Sequence, residues 1–347
     1  MKFLERIRTI WIKSSRNTRQ KIVIILLSLV IINAAVWIAG IFFSRMHPLF
    51  LGLIAIAYGL GLRHAVDADH IAAIDNTTRK LMNQGIKPVA IGLFFSLGHS
   101  TIVIILSILV AFSSVFIKQV LPTLQTTGTI IGTTVSSFFL LLIGLINLVA
   151  FFDILRIFKT VKKSKKYNEE VITTQLQSGG IFTRIFRPFL KTVKSSWQMY
   201  FIGFLFGLGF DTASEVGLLS ISAASSVSGI SYIEILLLPL AFTAGMVLID
   251  TVDGILMLGA YGWAYIQPMS KLYYNLNITI VSVIIALFIG GVEALQLISA
   301  AFNMHNDFFQ MINAINFSKL GYISILIFIT SWLISFSIYK IKRFDEM

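Results

Sequence analysis

The sequence predicts an all-α integral membrane protein with eight transmembrane helices arranged as an inverted repeat. Three observations lead there. Mean hydropathy is +0.85 and charged residues make up only 13% of the chain, about half the share typical of soluble domains. The apolar runs are long and continuous, which fits helices and not the alternating pattern of a barrel. Lys and Arg fall between those runs, with a strong bias toward alternate connections.

Taken in order, residues 22–43 form a span without a charge, with Ser28 and Asn33 its polar residues near the middle. That length crosses a hydrocarbon core of about 30 Å. A basic N-terminus precedes it, the run is too long for a signal h-region, and no small-residue cleavage site follows, so this span is expected to be retained. The second span, 49–72, carries Arg63, His64, Asp67, Asp69 and His70, and the third, 88–112, carries His99. The fourth, 128–152, carries no charge. Asp211 and Glu215 lie in the fifth, 199–223, and Asp250 and Asp253 in the sixth, 233–260. The seventh, 275–301, contains Glu293, and the eighth, 320–339, is free of charge.

Residues 153–198 are the one sizeable polar stretch. They hold ten Lys and Arg, including Lys162, Lys163, Lys165 and Lys166. Too short and polar for a folded domain, they read as a basic cytoplasmic loop able to touch anionic headgroups. This loop separates a first transmembrane half, residues 1–152, from a second, residues 199–347, with four helices in each.

The net charge of +12 raises the question of a nucleic-acid partner, and its distribution answers it. Counting by connection, 24 Lys and Arg fall on one side, among them Arg79, Lys80 and Lys87, and three on the other, Arg45, Lys118 and Lys319. Arg63 lies inside the membrane. The positive-inside rule places both termini in the cytoplasm and accounts for the charge through the lipid bilayer, with no nucleic acid. The chain has no cysteine, which removes disulfides, thiolate metal sites and thiol redox chemistry together.

Two segments repeat. Gly61-Leu62 through Asp69 matches Gly207-Leu208 through Glu215 at an offset of 146, and Phe95-Ser96-Leu97-Gly98-His99 matches Phe242-Thr243-Ala244-Gly245-Met246 at 147. The offset covers three spans, an odd number, so the copies run in opposite directions. Inverted repeats of this kind mark transporters whose substrate site lies near the midplane.

The ionisable residues make the functional case. A charged side chain at mid-bilayer costs roughly 2.5–3.5 kcal/mol on insertion scales and is by default a functional candidate. Five ionisable side chains fall within residues 63–70, two of them imidazoles and two carboxylates, a donor set suited to a borderline divalent metal. On a regular helix His64, Asp67 and His70 share a face while Asp69 points away. Either Asp69 has another role or the helix unwinds, a break that Gly59 and Gly61 would permit where freed backbone lines a cavity. Asp211 with Glu215, and Asp250 with Asp253, share faces of later helices. His99 lies among Ser96, Gly98, Ser100 and Thr101, where small residues allow close helix approach and hydroxyls can support a ligand. A single Asp paired with Arg63 would be a plain structural reading, but one Arg does not neutralise nine acidic or imidazole groups on four helices. His47 and His305 read as loop residues, and Met246 and Met257 as core filler.

The motif His64-Ala65-Val66-Asp67-Ala68-Asp69-His70-Ile71 resembles the second-helix signature of the nickel/cobalt transporter (NiCoT) family. Three further segments are similar to its other signatures: residues 95–100, 208–215 and 245–254. Together, in the family's order, they cover nearly the whole chain. The resemblance implies a high-affinity permease for Ni²⁺, Co²⁺ or both, and favours the pattern His64, four residues, then Asp69-His70.

The expected protein is therefore a secondary metal transporter of the cell membrane and not an enzyme, with transported Ni²⁺ or Co²⁺ and no cofactor. Its expected metal site is His64, Asp67, Asp69, His70 and His99. Arg63, Ser96, Asp211, Glu215, Asp250 and Asp253 are expected along the transport pathway, the four carboxylates passing the ion on or carrying protons. No nucleotide-binding motif is present, and no ATP-binding subunit is implied. Donor type alone does not separate Zn²⁺ or Mn²⁺ permeation from Ni²⁺. An intramembrane metallohydrolase is the alternative from another class, although the His-Glu-x-x-His zinc motif is lacking.

Overall fold

The computed structural model describes residues 16–112, 121–164, 193–209, 213–227, 230–264 and 268–341. Among the described residues all regular structure is helical: α1 (Arg16–Ser44), α2 (Phe50–His64), α3 (Ala68–Asn83), α4 (Ile91–Phe112), α5 (Leu121–Ser164), α6 (Met199–Phe206), α7 (Ala213–Val227), α8 (Tyr232–Ala264), α9 (Pro268–Ala301), α10 (Asp307–Asn313) and α11 (Phe317–Ile341). A 3₁₀ turn, Ser196–Gln198, leads into α6.

Stretches of α1, α4, α5, α8 and α9 are long and apolar enough to cross a membrane, and the pair α2–α3, bent by 53°, makes a sixth crossing if taken as one span. Among the described residues, length and apolarity thus give five or six crossings where the sequence led us to expect eight. The shortfall has a local cause. The fifth expected span is split between α6 and α7, with residues 210–212 outside the described set, and the eighth falls on α11, whose apolar stretch is Lys319–Ser331. Helix α5 continues past residue 152 to Ser164, so the polar segment begins as helix, and residues 165–192 lie outside the described set.

Helix α1 lies at the periphery. Ile22, Leu29, Val36 and Gly40, spaced along one thin face, touch the protein, while Ile24, Leu27, Val30 and Ile38 remain more than half exposed. An apolar surface this continuous suits hydrocarbon, not water.

The second expected span is broken. α2 ends at His64 in a tight turn, with Val66 N–H donating to Arg63 O at 3.1 Å and Asp67 N–H to His64 O at 2.9 Å. Asp67 is extended (φ −67°, ψ 147°) and α3 restarts at Ala68. The break therefore falls after Gly59 and Gly61, not at them. Gly61 serves packing instead: a Cβ there would overlap the Phe242 carbonyl of α8, and one on Gly245 would meet the Tyr58 carbonyl of α2 at 2.6 Å. The α6–α4 crossing repeats this arrangement, with Gly203 against the Phe95 carbonyl and Gly98 against that of Tyr200. Absent side chains let backbones approach, which drives helix association in lipid.

A polar cluster sits inside the bundle between α3, α5 and α9. Arg79 Nη1 donates to Thr279 Oγ1 at 2.8 Å and Nη2 to Ser282 Oγ at 2.6 Å. Asp75 Oδ2 lies 3.9 Å from Nη2 and accepts from the Ser282 hydroxyl. Asn147 Nδ2 donates to Asn76 Oδ1 at 2.8 Å. Arg79 and Lys80, assigned to a cytoplasmic connection by sequence, are thus corrected to buried positions on α3. The hydroxyls and carboxylate facing Arg79 make that burial possible.

Candidate metal site

The break between α2 and α3 sets up the site. Because the chain turns at residues 65–67, His64 at the end of α2 and His70 in the first turn of α3 direct their rings at one another. α4 supplies His99, two turns into the helix. The three ring centroids lie 4.7, 4.8 and 4.9 Å apart, close to an equilateral triangle. One nitrogen from each ring lies within 4.8 Å of the others, and all three residues are buried. Nitrogens bound to a single ion at about 2.1 Å are at most about 4.2 Å apart, so a small inward closure brings all three onto one ion.

Carboxylates surround the rings. His64 Nδ1 is 3.1 Å from Asp67 Oδ2, and its Nε2 is 2.9 Å from His99 Nε2. Glu215 Oε1, from α7, is 2.9 Å from His99 Nε2 and 3.8 Å from His64 Nε2. Two ring nitrogens and a carboxylate oxygen thus converge on one point, so a hydrogen carried by a ring nitrogen, or a metal ion, must lie between them. His70 Nδ1 lies 3.1 Å from Asp250 Oδ2 of α8, and Ser96 Oγ donates to the same oxygen at 2.5 Å. His70 Nε2 and His99 Nδ1 have no hydrogen-bond partner among the described residues. Phe95 meets the His70 ring edge-on at 4.8 Å and Phe242 lies 5.6 Å from the His64 ring. These apolar walls hold the rings in place and raise the local field of each charge.

Of the residues singled out by sequence, the structure brings together His64, Asp67, His70, His99, Ser96, Glu215 and Asp250. Asp69 is half-buried, and its Oδ1 accepts the His70 backbone N–H at 3.0 Å, in the first turn of α3 where negative charge is favoured. Arg63 is half-buried in the last turn of α2. Asp253 lies one turn beyond Asp250, in the neighbourhood of Asp250 and Asp75. Asp211 lies outside the described residues. Sequence reasoning missed Asp75 and its partner Arg79, for which the spacing of four on one helix was the available signal. His47 makes a peripheral contact, its Nδ1 2.9 Å from Glu234 Oε1 at the start of α8. That pair fastens the α1–α2 connection to α8.

A bundle of apolar helices with a buried triple-imidazole cluster, ringed by carboxylates, defines a multi-pass membrane protein able to hold a divalent transition metal. A model of the high-affinity nickel-transport protein family, NicO, matches residues 50–338, and the chain belongs to that family. It is 45% identical over 335 residues to a high-affinity nickel transport protein of Cupriavidus necator, covering 96% of this chain and 95% of that one. It is 44% identical to the nickel transporter NixA of Staphylococcus aureus, covering 94% and 95%, and 38% identical to the cobalt transport protein NhlF of Rhodococcus rhodochrous, covering 80% and 79%. No solved structure matches the chain.

Proposed function

We propose that this chain carries Ni²⁺, with Co²⁺ as a second substrate, into the cell across the cytoplasmic membrane. The observation that carries the reading is the convergence of His64, His70 and His99 with Glu215 in a chain of the nickel-transport family. Imidazole suits Ni²⁺, and for a given nitrogen and oxygen site Ni²⁺ binds more tightly than Co²⁺. Mg²⁺ prefers oxygen and dehydrates reluctantly. The relatives named for nickel and cobalt fit this pair of substrates.

In this reading the three imidazoles and Glu215 hold the ion after it sheds water, and Asp67, Asp69 and Asp250 offset its charge. Asp253 and Asp211 serve its passage onward. An inside-negative potential favours entry of a dication by about 4.6 kcal/mol per 100 mV. The basic segment 153–198 and both termini are cytoplasmic, in keeping with the charge distribution, and eight spans form two inverted halves of residues 1–152 and 199–347. The reciprocal crossings support the repeat. Gly61 and Tyr58 correspond to Gly203 and Tyr200 at an offset of 142, and Phe242 and Gly245 to Phe95 and Gly98 at 147. On this reading the packing pairs Gly61 with Gly203 before the break, where the sequence match pairs it with Gly207.

Uptake of labelled nickel by cells expressing the chain, with cobalt, zinc and manganese as competitors, tests the proposal. We expect saturable accumulation inhibited most strongly by cobalt and abolished in the His64→Ala, His70→Ala variant. Absence of accumulation, or accumulation unchanged in that variant, would overturn it.

A further inference from the structure

Two of the carboxylates beside the imidazoles do not approach them as the ion would. Asp67 and Asp250 each meet the Nδ1 atom of a histidine, at 3.1 Å in both cases. That leaves the Nε2 atoms of His64 and His70 for the interior of the cluster, where His64 Nε2 faces His99 and Glu215. An imidazole that donates its Nδ1–H to a carboxylate has its tautomer and ring plane fixed, and its Nε2 becomes the more basic donor toward a metal. We propose that Asp250 and Asp67 are positioning residues, which hold His70 and His64 as Nε2 ligands, and that Asp250 is itself held by Ser96. The inference rests on the assignment of the imidazole cluster as the nickel site.

Asp250 sits where two helices touch. A Cβ on Gly92 would overlap the Asp250 carbonyl, so α4 and α8 run backbone against backbone at this level. One turn along α4, Ser96 reaches across to the Asp250 side chain, while also contacting the Gly92 carbonyl at 2.9 Å. Oδ2 thus accepts from a hydroxyl and faces a ring at once. The chain Ser96–Asp250–His70 has the order hydroxyl, carboxylate, imidazole, running from α4 through α8 to α3. A carboxylate meant as a ligand would direct a lone pair into the cluster, as Glu215 does. Asp250 Oδ2 instead lies behind the ring.

This division sorts the residues differently from their order along the chain. The ligand set becomes three Nε2 atoms and Glu215, drawn from α2, α3, α4 and α7. The positioning carboxylates come from the α2–α3 break and from α8. Both halves of the chain therefore contribute a ligand and a positioning residue. Displacing α8 relative to α3 would release His70, so ligand geometry is coupled to the packing of the two halves.

The test is Co²⁺ titration of the purified full chain in detergent, read by the visible absorption of the bound ion and by affinity. His70→Ala removes a nitrogen ligand and should change both the spectrum and the affinity. Asp250→Ala should weaken binding about 10- to 100-fold, the range typical of groups that orient a ligand, with one ion still bound and the absorption bands unmoved. Asp250→Asn keeps an oxygen acceptor for the Nδ1–H and should recover most of the affinity. If Asp250→Ala shifts the bands and Asp250→Asn behaves the same way, Asp250 is a ligand and the proposal fails. Ser96→Ala leaves every carboxylate in place and should weaken binding several-fold with an unchanged spectrum. Should Asp250→Ala not fold, unaltered affinity in Ser96→Ala overturns the proposal by itself. If the His64→Ala, His70→Ala and His99→Ala variants all bind Co²⁺ as the parent does, it is the nickel-site assignment that fails, before any question of positioning arises.

Discussion

Two polar clusters lie buried in this bundle, and they are built on opposite plans. Around Arg79 the protein supplies its own cation, anchored by Thr279 and Ser282 beside Asp75. Around His64, His70 and His99 the acceptors gather first: Asp250 meets a ring and a hydroxyl, and Glu215 meets rings. In the first cluster a fixed guanidinium closes the network, and it cannot leave. In the second, on the proposed reading, a proton or a metal ion completes the charge, and either can be exchanged. Burial of charge alone therefore does not distinguish structure from function. What distinguishes them is whether the counter-charge is covalently part of the chain.

The contrast can be broken by exchanging consequences between the clusters. His70→Ala should reduce nickel uptake more than about 100-fold, since a ligand lost from a four-donor site costs several kcal/mol of binding, with the protein still reaching the membrane. Uptake assays alongside immunodetection check both parts. Arg79→Met should do the reverse. Removing one partner of a buried pair costs about 3–5 kcal/mol, read as a lower unfolding temperature and reduced abundance, while the protein that does fold binds one nickel ion. The double variant Asp75→Leu, Arg79→Met should recover much of the loss, because hydrophobic replacement of a whole buried pair is often neutral. A double variant no more stable than Arg79→Met would mean that Asp75 has work of its own beyond pairing.

The sequence made one cluster legible and hid the other, for a physical reason. His64, Asp67 and His70 were readable because imidazoles and carboxylates inside an apolar run are costly and mark a binding or transport site by default. Arg79 and Lys80 follow the apolar run and look like the basic flank of a span, since charge content does not say whether a helix end stops at the interface or continues inside. Thr279 and Ser282 are ordinary in a membrane helix until Arg79 is placed beside them. The meeting of Glu215 with His99 joins residues 116 apart, and no local pattern encodes that. The break at residues 65–67 was foreseen as one of two options, but its position was not, because Gly61 looked like a flexible joint and turned out to be a packing surface.

Smaller effects sharpen the comparison further. Gly245→Leu forces α8 away from the Tyr58 carbonyl, and overpacking of this kind costs about 1–3 kcal/mol. It should lower uptake and thermal stability together, unlike the separated effects of His70→Ala and Arg79→Met. His47→Ala should change stability by no more than about 1 kcal/mol: the His47 side chain is 45% exposed and, although Glu234 is buried, its other oxygen keeps the Ser231 N–H and hydroxyl. Thermal unfolding in detergent reads both.

The central claim is that one transported ion sits among His64, His70 and His99. X-ray absorption at the nickel edge of the nickel-loaded full chain tests it directly, because imidazole rings bound to the metal give a distinct outer-shell scattering pattern. We expect three imidazoles on one nickel ion in the parent protein and one fewer in His99→Ala. Scattering from oxygen donors alone, or the same imidazole contribution in both proteins, would contradict it.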